Sequence, residues 1–244
     1  MSEELLNFVK KLHDSSMELL GELRFDKRLE ADGYVICLYS SMIELSRGIA
    51  TLTELDLRTA LSPVFRTFLE AYVEFKNMIE DPAYINHCYA RHHHDWIRVL
   101  KESKDPNPYL AQIGNHASYD AVVQRHESGL QELKDGGFGP LKILNRFEKA
   151  GMANEYRSIY HFESDGSHNS LQAMIERHIE LGEDGYDLAL YRKRTLKDYE
   201  AILDSTAGLL MDATRRIAER LKSERREVVE ALSNELAGLR ASNG

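Results

Sequence analysis

Apolar residues recur at intervals of three and four along most of the chain. Leu5, Leu6, Val9, Leu12, Leu19, Leu20 and Leu23 form one stripe, and Val35, Ile36, Leu38, Met42, Leu45, Ile49 and Leu52 form another. Both stripes predict amphipathic helices that turn one face to a core. Nowhere is a sustained alternation of apolar and polar positions bounded by an Asn-Gly or Asp-Gly turn, and glycine and proline fall mostly between the helical stretches. The pattern predicts an all-α fold.

The helix boundaries follow from local chemistry. The Ser62 hydroxyl can cap a helix that Pro63 opens with its preset φ, which predicts a third helix over 63–81. Asp81-Pro82 repeats the signal and predicts a fourth helix through Trp96 to about Lys104, forming an α-hairpin with the third. Asp105-Pro106-Asn107-Pro108 ends it, and Asp135-Gly136-Gly137-Phe138-Gly139-Pro140 makes a second break. A helix around Tyr156, a stretch through Gly166 to Ile179 and a loop at Gly182 to Gly185 follow.

Leu196, Tyr199, Leu203, Thr206, Leu210, Ala213 and Ile217 then mark a long closing helix that continues to Val228, Leu232, Leu236 and Leu239. Its first part suits either a coiled-coil seam or packing along its own bundle. The predicted organisation is a single helical bundle over 1–190 and a long C-terminal helix over 191–244, packed on the bundle or mediating a homodimer. The charged run from Lys222 to Glu230 is expected to project into solvent.

Composition narrows the class. The 244 residues carry 31 basic and 40 acidic side chains, a formal net charge of −9, and only two cysteines. No disulfide framework is available, and no charged-then-apolar leader is seen, so a cytoplasmic location is expected. No apolar run approaches the ~20 residues that cross a bilayer, so no membrane partner is expected. The chain contains no Walker loop, no Rossmann glycine fingerprint, no His-Glu-x-x-His, no Cys-x-x-Cys and no Gly-x-Ser-x-Gly. Residues 192–226 hold ten basic and six acidic side chains, the clearest cationic stretch.

Candidate chemistry centres on histidine, present ten times and suited to proton transfer near neutral pH. His87, Arg91, His94 and Arg98 share one helical face, which reads as a solvated polar face. A zinc pair would have a ligand where Arg91 stands. Arg66 and Glu70 lie one turn apart on an otherwise apolar helix, so a polar partner from another helix is expected to complete their hydrogen bonds. The best source is the segment carrying Tyr156, Tyr160, Ser164 and His168 at spacings of four. It reaches this site as one polar stripe if Gly166 stays helical, or with His168 in a loop if it does not. Either arrangement could bring His168 beside Glu70, as an acid-base pair or as a structural network. A ligand pocket lined by Tyr72, Tyr156 and Tyr160 is a further reading.

At these residues the sequence resembles an uncharacterised family of bacterial and phage-associated helical proteins, a domain of unknown function. The likeness rests on Arg66 to Ala71 (Arg-x-x-x-Glu-Ala), on Asp81-Pro82, and on Tyr160, Ser164, His168 and Ser170, and covers about Leu55 to Ile179. Such proteins also look like distant relatives of the HEPN superfamily, which includes RNase toxins and defence effectors. That superfamily's Arg-x(4–6)-His pattern is absent: three residues separate Arg157 from His161, and ten separate it from His168. The resemblance implies a toxin or antiviral-defence effector with metal-independent RNase activity and RNA as partner. In that reading His168 is the base, Arg66 and Arg157 are electrophilic clamps, and Glu70 is the orienting carboxylate. Tyr156, Tyr160, Ser164 and His161 are the candidate ligand-binding residues, and neither cofactor nor metal is expected. The alternative is a non-catalytic helical interaction module or a small-ligand sensor.

Overall fold

A computed structural model describes residues 2–182 and 185–242. The chain forms two compact units, one made of Met1–Ile79 and Phe147–Gly244, the other of Glu80–Arg146. Helices α1 (Ser2–Glu22), α2 (Glu30–Glu54) and α3 (Arg58–Glu80) come first; α4 (Ile85–Glu102), α5 (Ala111–Gly114) and α6 (Tyr119–Asp135) follow. After α7 (Ile143–Lys149) and α8 (Ala153–Glu155) comes a π-helical turn (Tyr156–Tyr160), then α9 (His161–Ser167) and α10 (Leu171–His178). A two-stranded antiparallel ladder, β1 (Ile179–Gly182) with β2 (Gly185–Leu188), precedes α11 (Glu200–Arg220) and α12 (Arg226–Ala241). The all-α expectation holds apart from this ladder, in which Ile179 pairs with Leu188. The two strands flank the loop expected from Gly182 to Gly185, with Gly182 and Gly185 as the last pair, and two residues of that loop lie outside the described ones.

In the larger unit the predicted stripes face inward. Leu5, Val9 and Leu12 of α1, Val35, Met42 and Ile49 of α2, and Leu203, Leu210 and Ile217 of α11 are almost fully buried. At their junction Thr214 Oγ1 lies 3.1 Å from Ser16 Oγ and 3.0 Å from Tyr39 OH, and donates to Leu210 O at 2.7 Å. Three buried hydroxyls thus satisfy one another across three helices, which removes the penalty for burying them. By length and composition α2 is a helix able to cross a bilayer, contrary to the expectation that no apolar run is long enough. Its apolar face packs in the core with α1 and α11.

Two further expectations are corrected. First, α3 begins at Arg58 and carries Pro63 inside it, so Ser62 is a buried helical residue and not a cap. The extra turn is anchored by the Ala60 and Leu61 amides, which donate to Leu57 O at 3.1 Å. Second, the long C-terminal helix is two helices. Lys222 takes φ +52°, and the Ser223 amide donates to Ala218 O at 2.9 Å, which reverses the chain. Helix α12 then folds back on α11 through Val229, Leu232 and Leu236. Arg225 ties this corner to α1 by Glu18 at 2.5 Å and Glu22 at 2.6 Å, so the charged run does not project. The seam from Tyr199 to Ile217 is buried within its own chain.

Within the smaller unit α4 takes α6 as its partner. Tyr119 OH donates to Leu100 O, His93 meets His126, and His87 meets Gly139 O, so the two helices run antiparallel.

Candidate functional site

One turn of α3 places Arg66 Nε 3.2 Å from Glu70 Oε1. The partner from another element is Tyr160, at the end of the π-helical turn. Its hydroxyl donates to Glu70 Oε1 at 2.8 Å and accepts from Arg66 Nε at 3.0 Å, and the guanidinium lies 5.2 Å from its ring centre. Arg66 Nη1 also reaches His168 Nε2 at 2.7 Å. A guanidinium only donates, so Nε2 accepts here and a neutral ring carries its proton on Nδ1. The four groups grade from inside to outside: Tyr160 is 4% exposed, the side chains of Arg66 and Glu70 are about a quarter to a third exposed, and His168 is open to solvent.

The surroundings hold this arrangement in place. Tyr160 packs on Phe147, with ring centres 4.9 Å apart, and stacks on Tyr156 at 5.3 Å. Burial, and then the Glu70 carboxylate, push its phenol up to about 12. Arg58, in the extra turn of α3, forms a two-pronged pair with Glu163 of α9 at 2.9 and 3.1 Å. Gly166 keeps α9 helical yet close to α3, since a Cβ there would lie 3.1 Å from Ser62 Oγ. The helix ends only at His168; Asn169 takes φ +52°, and Ser170 caps α10 by accepting from the Ala173 amide. His168 therefore sits on a tight corner between two helices, a position that combines features of both expected arrangements.

Residues 32–186 match the family described as a family of unknown function, DUF5677. The chain belongs to this family. The DUF5677 span holds all four residues of the cluster and ends before α11 and α12. No curated protein and no solved structure matches the chain.

Of the DUF5677 residues singled out from the sequence, Arg66, Glu70, Tyr160 and His168 converge. The carboxylate expected beside His168 is replaced there by the Arg66 guanidinium. Arg157 and His161 are exposed, and among the described residues they make no hydrogen bond to the four. His161 instead lies 3.9 Å from Asp165. Ser164 contributes its carbonyl to the His168 amide at 3.0 Å. Tyr156 supports Tyr160, whereas the Tyr72 hydroxyl turns to Asp212 of α11 at 2.6 Å.

The histidine face of α4 is not uniformly solvated. His87 bonds Gly139 O at 2.8 Å and packs on Phe138, while His93 Nδ1 meets His126 Nδ1 at 3.0 Å beside Trp96 and His92. Burial is the largest cause holding both His93 and His126 below the usual imidazole value. Among the described residues no group of three or more His, Cys, Asp or Glu side chains is arranged to hold a metal ion. The cationic stretch of the C-terminal region is also less open than its sequence implies. Arg215 pairs with Asp212 and Glu219, Arg216 with Asp212, and Arg220 with Asp32.

Sequence reasoning missed Arg58, Glu163, Arg177 and Asn169. Arg58 and Glu163 lie 105 residues apart, and no helical spacing links them.

Proposed function

We propose that the Arg66, Glu70, Tyr160 and His168 cluster is a metal-independent RNA-cleaving site. The observation that carries this reading is the 2.7 Å contact between Arg66 and His168 at a solvent-open corner, with Glu70 and Tyr160 fixing Arg66 from beneath. A phosphodiester oxyanion competes for the Arg66 guanidinium and frees the Nε2 lone pair of His168. That nitrogen takes the proton of the ribose 2′-hydroxyl. The 2′-oxygen attacks phosphorus, the P–O5′ bond breaks, and the leaving oxygen takes a proton from water, which gives a 2′,3′-cyclic phosphate. Arg66 offsets the charge that builds on the phosphorane oxygens. Tyr160 and Glu70 are positioning residues, and Arg157 has no part in this scheme. Such an activity suits the toxin or antiviral-defence setting that the HEPN resemblance implies.

The test is cleavage of labelled total RNA and tRNA by the purified full chain, with and without chelator, beside folded His168→Ala. Chelator-resistant cleavage lost in the variant is expected. Intact RNA, or equal cleavage by both proteins, overturns the reading.

A second reading, a non-catalytic helical module, is favoured by the near-complete burial of Tyr160. In that case the cluster only fastens α3 to the segment from α8 to α9. Wild-type protein that leaves RNA intact, together with a Tyr160→Phe variant of lowered melting temperature, would support it.

A further inference from the structure

A cavity of about 490 Å³ opens between the start of α3, the end of α10 and residues 190–194. Four of its lining residues are arginines, Arg58, Arg177, Arg192 and Arg194, against one carboxylate, Asp56. In a chain of net charge −9 this is a local reversal of sign. The charge of Arg58 is met by Glu163. The other three guanidinium groups are held mainly by neutral oxygens. Arg177 donates to Gly166 O and, at 3.0 Å, to Asn169 Oδ1. Arg192 donates to Glu176 O at 3.2 Å and Ile179 O at 3.3 Å, and Arg194 to Glu176 O at 3.3 Å.

Carbonyls fix where a guanidinium points without cancelling its charge. One of these carbonyls, Glu176 O, belongs to the last turn of α10, whose dipole supplies about half a negative charge. Glu180 Oε1 lies 3.8 Å from Arg192 Nε, and the Glu163 and Glu176 carboxylates offset part of the Arg177 charge. Asp56 is already engaged, by Tyr199 OH at 2.5 Å and the Arg194 amide at 3.1 Å. Arg177 is 8% exposed, and burial, followed by the neighbouring charge of Arg58, holds its guanidinium below the usual value. Within the lining itself positive charge exceeds negative, which favours an anion. Each arginine has five N–H donors, so the carbonyl contacts leave donors for it.

The rest of the lining is apolar. Leu57 and Ala60 line one side, and Leu190 and Tyr191 stand at 80% and 77% exposure. Tyr191 takes φ +55°, a strained conformation for a bulky residue. Inorganic phosphate makes no use of this half, and an apolar ligand makes no use of the arginines. We propose that the cavity binds a nucleotide unit, with its phosphate received by Arg177, Arg192 and Arg194 and its base laid against Tyr191. The cavity shares no residue with the Arg66 and His168 cluster, so the proposal stands apart from the cleavage reading.

The experiment is calorimetric titration of the full chain with AMP, adenosine and inorganic phosphate. AMP is expected to bind about 10-fold more tightly than either fragment, since each lacks one set of contacts worth roughly that factor. Arg192→Gln with Arg194→Gln should weaken AMP by about 10-fold or more. Tyr191→Ala should bring AMP down to the level of phosphate. Because Arg192 and Arg194 also cap α10, the Lys variants at both positions serve as folded controls and should keep part of the affinity.

AMP binding no tighter than either fragment overturns the proposal, and so do variants that bind like the wild type. Competition by a short single-stranded RNA separates the two sources of a nucleotide: displacement of AMP points to a strand, and its absence to the free molecule. The His168→Ala variant should bind AMP like the wild type, so loss of cleavage and loss of this site are read separately.

Discussion

Arg66 Nη1 and His168 Nε2 meet at 2.7 Å across 102 residues of chain. The contact depends on two helix ends that the sequence does not advertise. Helix α9 must run through Gly166 and stop at His168, and Asn169 must then accept a left-handed conformation. The imidazole is thereby delivered to the guanidinium that Tyr160 and Glu70 already hold.

Tyr39 and Tyr160 make the protein sensitive to alkali. Burial is the largest cause for both, and each phenol is pushed up to about 12 from an ordinary 10. The unfolded chain loses these protons first, so their contribution is complete below about pH 10 and lost as pH rises toward 12. Urea midpoints measured at about pH 8 and about pH 11 should show a clear fall, and Tyr39→Phe should flatten it. An unchanged slope in that variant would count against the assignment.

The pair Arg58 and Glu163 is two-pronged and largely buried, with side-chain exposures of 27% and 9%. Removing one partner strands the other, so Glu163→Gln should cost about 2–4 kcal/mol in chemical denaturation. Joint replacement by Met at 58 and Leu at 163 should recover most of that loss. A double variant as weak as the single one would show that the charge pair itself is what matters.

Gly166→Ala should be destabilising despite the roughly 1 kcal/mol by which alanine favours a helix. The new Cβ would press on Ser62 Oγ at 3.1 Å, and Ser62 is 1% exposed. Ser62→Ala removes that oxygen, so Gly166→Ala in this background should become neutral or stabilising. Thermal melts of the four proteins close the cycle; additive effects would refute the contact.

In the smaller unit, His93 and His126 are both held below the ordinary value of 6.5, first by burial and then by neighbouring cationic groups. Their neutral forms stabilise the folded state above pH 6.5, and this is lost as pH falls through the lowered folded values. Amide exchange in α4 and α6 should therefore quicken between about pH 7.5 and about pH 5.5 after correction for intrinsic rates. His126→Phe should remove most of the difference. Equal protection of the wild type at both pH values would sink the argument.

Much of the fold was legible because it depends on periodicity. The stripes of α1, α2 and α11 are local patterns, and each buried the face it presents. Arg66 and Glu70 were legible as an incomplete polar pair on an apolar helix, and Tyr160 and His168 as the polar stripe able to complete it. The break at Lys222 was hidden because no Gly or Pro marks it. It is set by α12 packing back on α11 and by Arg225 reaching α1. The arginine cavity was hidden for a related reason. Arg192 and Arg194 read as part of one basic stretch with Arg215, Arg216 and Arg220, and only folding separates the carbonyl-held members from those neutralised by carboxylates.

The larger unit is discontinuous, and α1 has α11 as a main partner nearly two hundred residues later. A ribosome adding about 5–20 residues per second needs roughly 10–40 s to span that gap. During that interval α1 has α2 beside it but lacks α11, while α4 and α6 can already pair. Chains that stop before α11 leave synthesis with the α1 and α2 core only partly covered, an aggregation hazard that chains carrying α11 meet only in transit.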